Sequence, residues 1–224
     1  MKSKPILFSG SMVRAILAGK KHQTRRVINR LSGFGPITEF RQSTTRGYDY
    51  TFRDRRACWN DLRKERVMDC CPHGQAGDEL WCREAWNVYH VSKDEFGNAE
   101  LDEPYTYIPQ NRQRRGSIEY RADDQLDGPW RPSIHMPRWA SRITLMVTDV
   151  RVERLQEISD RAAIAEGIES TPHGWRLYGH GFTSSPIASF RSLWELINGA
   201  GSWEQNSWVW VISFERVHEK NTNQ

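Results

Sequence analysis

The chain has 224 residues, of which 38% are hydrophobic, 11% aromatic and 27% charged, with a formal net charge of +4. That length can bury a core without disulfide or metal staples, and ten Trp exclude a fully disordered chain. No apolar run approaches the roughly 20 residues of a membrane span, and residues 1–10 lack the apolar core of a signal peptide, so a cytoplasmic protein is expected.

Residues 4–9 (KPILFS) predict a short strand. Gly10 and Ser11 offer an N-cap, and Met12, Ile16 and Leu17 give helical spacing up to a stop at Gly19. Residues 20–30 hold five basic side chains and no acidic one, a basic turn leading into a strand near Val27 and Ile28. Residues 31–69 have weak periodicity and predict a loop-rich insertion, with a hairpin at 48–53 and a helical turn within 54–67. After a turn at 74–78, residues 79–90 (ELWCREAWNVYH) predict one aromatic-rich strand. A second loop-rich insertion is expected at about 92–139, and 129–142 (PWRPSIHMPRWASR) reads as ordered but irregular.

Residues 143–154 (ITLMVTDVRVER) alternate cleanly and predict the best strand of the chain. Ser159 caps a helix over 160–166 that Gly167 closes. A Gly-rich aromatic loop at 175–183 precedes an amphipathic helix at 184–197, whose Phe190, Leu193, Trp194 and Ile197 form a core stripe. Residues 207–217 (SWVWVISFERV) predict a closing strand, and 218–224 a flexible tail. Strands outnumber helices, so the fold class is α+β, with one mixed barrel-like sheet, flanking helices and two insertions in a single domain spanning 1–217.

Of the 32 basic residues, 25 are Arg. Arg matches phosphate and base edges and stacks on rings, so the balance leans towards nucleic acid or nucleotide. The four Cys do not read as a metal site, because Cys70-Cys71-Pro72-His73 lacks paired Cys-x2-Cys spacing. No metal, no other cofactor and no obligate protein partner is expected.

The run Gly19-Lys20-Lys21-His22-Gln23-Thr24-Arg25-Arg26, placed after a strand and a helix, resembles the opening signature of ASCH domains in the PUA-like β-barrel superfamily. Gly77-Asp78-Glu79-Leu80-Trp81 is similar to the family's turn before a barrel strand, and 143–167 and 209–217 to its later elements. The whole chain is most similar to the larger ASCH proteins of bacteriophages and prophages. Small bacterial members include an N4-acetylcytidine amidohydrolase. The resemblance therefore implies Lys21, Thr24 and Glu166 as catalytic residues, and a modified nucleoside, RNA or DNA as partner.

Amide hydrolysis needs a nucleophile, a base and an acid for the leaving amine. Thr24 could supply the hydroxyl, Lys21 could be a base if burial or Arg25 and Arg26 lower its pKa, and Glu166 could protonate the leaving nitrogen or orient water. Arg25, Arg26, Arg138 and Arg142 are candidate phosphate ligands, His135 a titratable group, and Trp139, with Trp130 and Tyr120, a stacking surface. Two other readings stand beside the hydrolase: a non-catalytic RNA- or DNA-binding module, and a ribonuclease working in a basic groove.

Overall fold

The computed structural model describes residues 1–93, 99–104, 116–123 and 128–217. The expected flexible tail at 218–224 and part of the second insertion lie outside the described residues.

The chain opens with β1 (Ser3–Leu7) and α1 (Gly10–Leu17). The cap of α1 is Ser9, one residue before the expected pair; its hydroxyl accepts from Met12 N at 3.4 Å. Then come β2 (Gln23–Val27), β3 (Arg30–Leu31), β4 (Gly35–Gln42), β5 (Tyr50–Asp54), β6 (Trp59–Leu62) and α2 (Lys64–Asp69). The predicted strand at 79–90 is two strands, β7 (Glu79–Arg83) and β8 (Trp86–Lys93). They part because Glu84 turns inward to an ion pair with Arg142, and Trp86 begins pairing in another sheet. Next follow β9 (Ala99–Pro104), β10 (Gly116–Tyr120), β11 (Thr144–Arg154), α3 (Asp160–Ala165), β12 (Ser170–Thr171), β13 (Gly174–Arg176), β14 (Phe182–Thr183), α4 (Pro186–Asn198) and β15 (Trp208–Arg216).

The main sheet has the order β1-β7-β11-β15-β2. Only β1 and β7 run parallel; the remaining neighbours are antiparallel. The two long alternating strands lie in one sheet, as expected, and pair directly, from Leu145 opposite Arg216 to Arg154 opposite Trp208. The architecture is mixed α+β, but the barrel expectation needs correction. Among the described residues the sheet stays open, with β1 and β2 as unpaired edges. A side chain bridges the seam instead: the Arg26 guanidinium donates to the Leu7 carbonyl at 2.6 Å. Among the described residues no helix is long and apolar enough to cross a membrane.

Strand β15 explains why the run Trp208-Val209-Trp210-Val211-Ile212-Ser213-Phe214 is apolar at nearly every position. Side chains alternate between faces of a strand. Trp208, Trp210, Ile212 and Phe214 enter a core with α1 and the inner faces of β1, β7 and β11. Val209 and Val211 enter a second core with Leu155, Ala163, Ile168 and the α4 residues Phe190, Leu193 and Trp194. Both faces are buried, so an amphipathic pattern would leave one core unfilled.

The region 31–69 is not loop-rich. Strands β3, β4, β5 and β6 form their own four-stranded sheet in sequence order. A register shift between Ile37 and Glu39 hides its pattern, because the extra residue puts Ile37 and Phe40 on one side although they are three apart. Phe40 and Tyr50 then pack edge-on to Trp208, at 6.0 and 5.7 Å between ring centroids, which ties this sheet to β15. The predicted loop at 175–183 likewise carries short strands, in a three-stranded sheet of order β12-β13-β14.

Ile212 is fully enclosed and Glu215, three residues on, is exposed. Ile212→Ala is expected to lower stability by about 3 kcal/mol, and Glu215→Ala by less than about 0.5 kcal/mol, in urea denaturation. Equal effects would contradict the burial of β15.

Candidate functional site

The ends of α1 and α3 meet at the start of β2. Gly19 turns the chain after α1 at a φ of +65°, and the amides of Lys20 and Lys21 both reach back to the Ala15 carbonyl, at 2.8 and 3.1 Å. Ser159 caps α3, its hydroxyl accepting from Ala162 N at 3.3 Å. The helix closes at Glu166, and Gly167 follows at a φ of +81°. The two turns are joined by backbone: Lys21 and Glu166 form an antiparallel bridge, and His22 N donates to the Ala165 carbonyl at 2.9 Å. Gly167 is required twice over. A Cβ there would stand 2.7 Å from Lys21 Cβ, in a backbone conformation that favours glycine.

Lys21 is 2% exposed. Its ammonium donates to the Gln23 carbonyl at 2.8 Å, the Glu166 carbonyl at 2.7 Å and Glu166 Oε2 at 2.9 Å, which uses all three protons. The other carboxylate oxygen of Glu166 accepts from Arg25 at 3.1 Å. Arg25 also donates to Gln23 Oε1 at 2.9 Å and to Glu153 Oε2 at 3.0 Å. Glu153 is held in turn by Arg151. Two cations, Lys21 and Arg25, thus face two carboxylates, Glu166 and Glu153, largely away from water. Burial pulls the Lys21 pKa below the ordinary lysine value. The Glu166 carboxylate works against that pull, and Arg26 and Arg25 reinforce it.

A cavity of about 310 Å³ lies beside this network, within the range of small-molecule sites. Thr24, Arg25, Arg26 and Val27 of β2 all line it, with Glu166 from the end of α3 and Phe190, Leu193 and Trp194 from α4. Four consecutive strand residues can share one cavity because β2 is a sheet edge, so the opening wraps its free side. Thr24 is nearly enclosed, and among the described residues its hydroxyl has no hydrogen-bond partner. Lys21 stands behind Glu166 and is not itself a lining residue.

Most of the other sequence candidates sit elsewhere. Arg25, expected as a phosphate ligand, lines the cavity but is committed to the buried ion-pair network, and Arg26 lines the cavity while it bridges the seam. His135 and Arg138 are exposed on short 3-10 turns, and Arg138 donates to Thr144 Oγ1 at 2.9 Å. Trp139 packs edge-on to Trp86 at 5.7 Å. Arg142 is held by Glu84 and Asp123, at 3.0 and 2.7 Å, and lies over the Tyr120 ring at 3.9 Å. None of these four lines the cavity.

The sequence reading missed Asn29 and His73 as cavity residues, and it took the α4 stripe as core alone. The Cys-Cys-Pro-His run was visible as a cluster, but its cysteines are buried thiols, and burial pushes Cys71 up to about 11. Among the described residues no group of three His, Cys, Asp or Glu side chains is placed to hold a metal ion. Burial, with Arg26 and Lys4 nearby, lowers the His73 pKa to about 4, so it presents a neutral imidazole to the cavity.

A comparison with protein-family models, with curated proteins and with solved structures finds no match.

Gly167→Ala is expected to cost about 2–4 kcal/mol, from the left-handed backbone and the clash with Lys21 Cβ, as read by urea denaturation. His73 gives a pH signature. Between its unfolded value near 6.5 and its folded value of about 4, the unfolded chain binds a proton that the folded chain refuses. Stability should therefore fall as pH drops from 6.5 to 4, by on the order of 2 kcal/mol after screening of this partly exposed group. In His73→Gln that part of the slope should vanish; an unchanged slope would mean that His73 is not buried as described.

Proposed function

We propose that this chain is a nucleoside- or nucleic-acid-directed hydrolase of the ASCH, PUA-like type that cleaves an amide on a modified base of the N4-acylcytidine class. The observation that carries the reading is convergence. Residues 145 positions apart in sequence, Lys21 and Glu166, form a buried ion pair at 2.9 Å, and Glu166 shares one cavity with Thr24.

In the proposed reaction Thr24 Oγ1 attacks the acyl carbonyl carbon, and its proton passes to the Lys21–Glu166 pair. The pair returns that proton to the exocyclic nitrogen as the C–N bond breaks, and water then hydrolyses the threonyl ester. Lys21 works through Glu166, since Glu166 alone of the two lines the cavity. Arg26 brings positive charge to the cavity wall, where a phosphate or base carbonyl could bind, and Phe190 and Trp194 supply apolar surface for a base.

One observation favours a second reading. All three Lys21 protons already have acceptors, an arrangement that a purely architectural ion pair also adopts. On that reading the domain binds RNA or DNA without turning it over.

The test follows release of cytidine from a panel of N4-acylated cytidines and oligonucleotides containing them. The pair accepts a proton only when it holds one fewer, and burial lowers the Lys21 pKa, so activity should rise with pH and level off below the ordinary lysine range. Thr24→Ala and Glu166→Gln should each cost about 100-fold or more in kcat. Lys21→Arg should be inactive, because a guanidinium keeps its proton; circular dichroism checks that each variant folds. No turnover by the wild type across the panel leaves the binding module as the function.

A further inference from the structure

The outer face of the β4–β5–β6 sheet carries an aromatic residue that the core does not use. Trp59 is 44% exposed and belongs to no core cluster. Pairing sets it opposite Arg53, which is itself opposite Glu39, so all three share the outward face. Arg41 lies opposite the small Thr51 of the central strand. Its guanidinium passes that strand to sit 4.2 Å from the Trp59 ring centroid, and that of Arg53 is at 6.0 Å. The inner face holds Phe40, Tyr50, Phe52 and Leu62 against the main core, so the outer face is not a second core in waiting.

The segment around Trp59 carries a small positive excess, and its outward face also holds the carboxylates Glu39 and Asp61. Residues 30–62 hold six Arg against four acids, Glu39, Asp49, Asp54 and Asp61. Glu39 is paired with Arg53 and Asp54 with Arg56, while Asp61 accepts from the Ser43 and Thr45 hydroxyls. Arg30, Arg41, Arg46 and Arg55 have no carboxylate partner among the described residues. An exposed indole beside the unpaired Arg41 guanidinium, with the Glu39-paired Arg53 further off, offers a stacking surface and a phosphate ligand together.

We propose that this face is a binding platform for single-stranded nucleic acid, in which a base stacks at Trp59 and the phosphates meet Arg41 and Arg53. An unpaired base exposes the ring face that stacking needs, whereas a duplex hides it. The sheet that carries the platform follows the cavity-lining strand β2 in sequence. Arg26 and Asn29 line the cavity, and Arg30 opens the sheet at β3. Three strand spacings, roughly 14 Å, separate β3 from β6. The platform does not depend on the proposed hydrolysis, because it needs neither Thr24 nor Glu166.

The experiment is fluorescence anisotropy of labelled oligo-dT and oligo-U with the full chain, at about 50 and 200 mM salt. Binding is expected at the lower salt, with a marked loss at the higher. Trp59→Ala should weaken binding roughly tenfold and Trp59→Phe by less, because a ring remains. Arg41→Glu should weaken binding and flatten the salt dependence. Melting curves confirm folding, which an exposed site should not disturb. Glu215→Ala, exposed and outside both the cavity and the platform, should leave oligonucleotide affinity within about twofold. Equal loss for oligo-dT and oligo-U means that the sugar is not read; a preference for oligo-U assigns the platform to RNA. The proposal is overturned if the wild type fails to bind at the lower salt, if Trp59→Ala and Arg41→Glu bind as the wild type does, or if a duplex of the same length binds as tightly as the single strand.

Discussion

The buried pairing of Lys21 with Glu166 is the constraint on which the site depends. It sits where two helices end and an edge strand begins, so three elements are positioned by one contact. Two charges removed from water are costly unless their hydrogen bonds are complete. Here they are complete for the ammonium, with two backbone carbonyls and one carboxylate oxygen, and Arg25 takes the second oxygen. Because two of the Lys21 acceptors are main-chain carbonyls, the ammonium also fixes the path of the chain into β2. A hydrophobic pair could fill the same volume, but it could not hold those two carbonyls in place.

Strand β15 carries this local order outward. Its Trp and Phe side chains fill one core and its valines another, while its backbone pairs with β2 on one side and β11 on the other. Residue Trp208 adds a third attachment, since Phe40 and Tyr50 lean on its ring. The cavity wall, the second core and the additional sheet therefore share one strand. Movement of β2 away from β15 would disturb the Arg25 contacts and the cavity at once. The open seam between β1 and β2 is the less constrained side, held among the described contacts by the Arg26 guanidinium on the Leu7 carbonyl.

Much of this was legible where local rules and tertiary packing agree. Alternation in 143–154 and the apolar run near 210 marked the two central strands, and Ser159 with Gly167 marked both ends of α3. The sheet at 30–62 was not legible, because the irregularity after Ile37 shifts the phase of its apolar residues. The break after Arg83 was hidden too, since a buried Glu84 is explained only by an Arg142 distant in sequence. At the site, resemblance singled out Lys21, Thr24 and Glu166, but spacing could not show that Glu166 stands between Lys21 and the cavity. The sequence makes Arg25 a candidate phosphate ligand like its neighbours, because a basic run gives no sign of which member will meet buried carboxylates. His73 went unassigned because its role depends on burial and not on its neighbours in sequence.

The arrangement around Glu166 bears on how any chemistry there could be switched. Its carboxylate faces two cations and takes part in the cavity wall, so a ligand that enters meets an acid already committed to internal partners. A neutral ligand leaves that balance intact. An anionic one adds charge beside Arg26, whose guanidinium also lines the cavity and holds the seam. Binding an anion at Arg26 would then compete with its hold on Leu7, whereas binding at Arg25 would require breaking contacts to both Glu166 and Glu153. The easier contact is Arg26. Phe190 and Trp194 supply apolar surface to the same cavity. The proposed hydrolysis asks only that an acyl group reach Thr24 and Glu166, which line that cavity together.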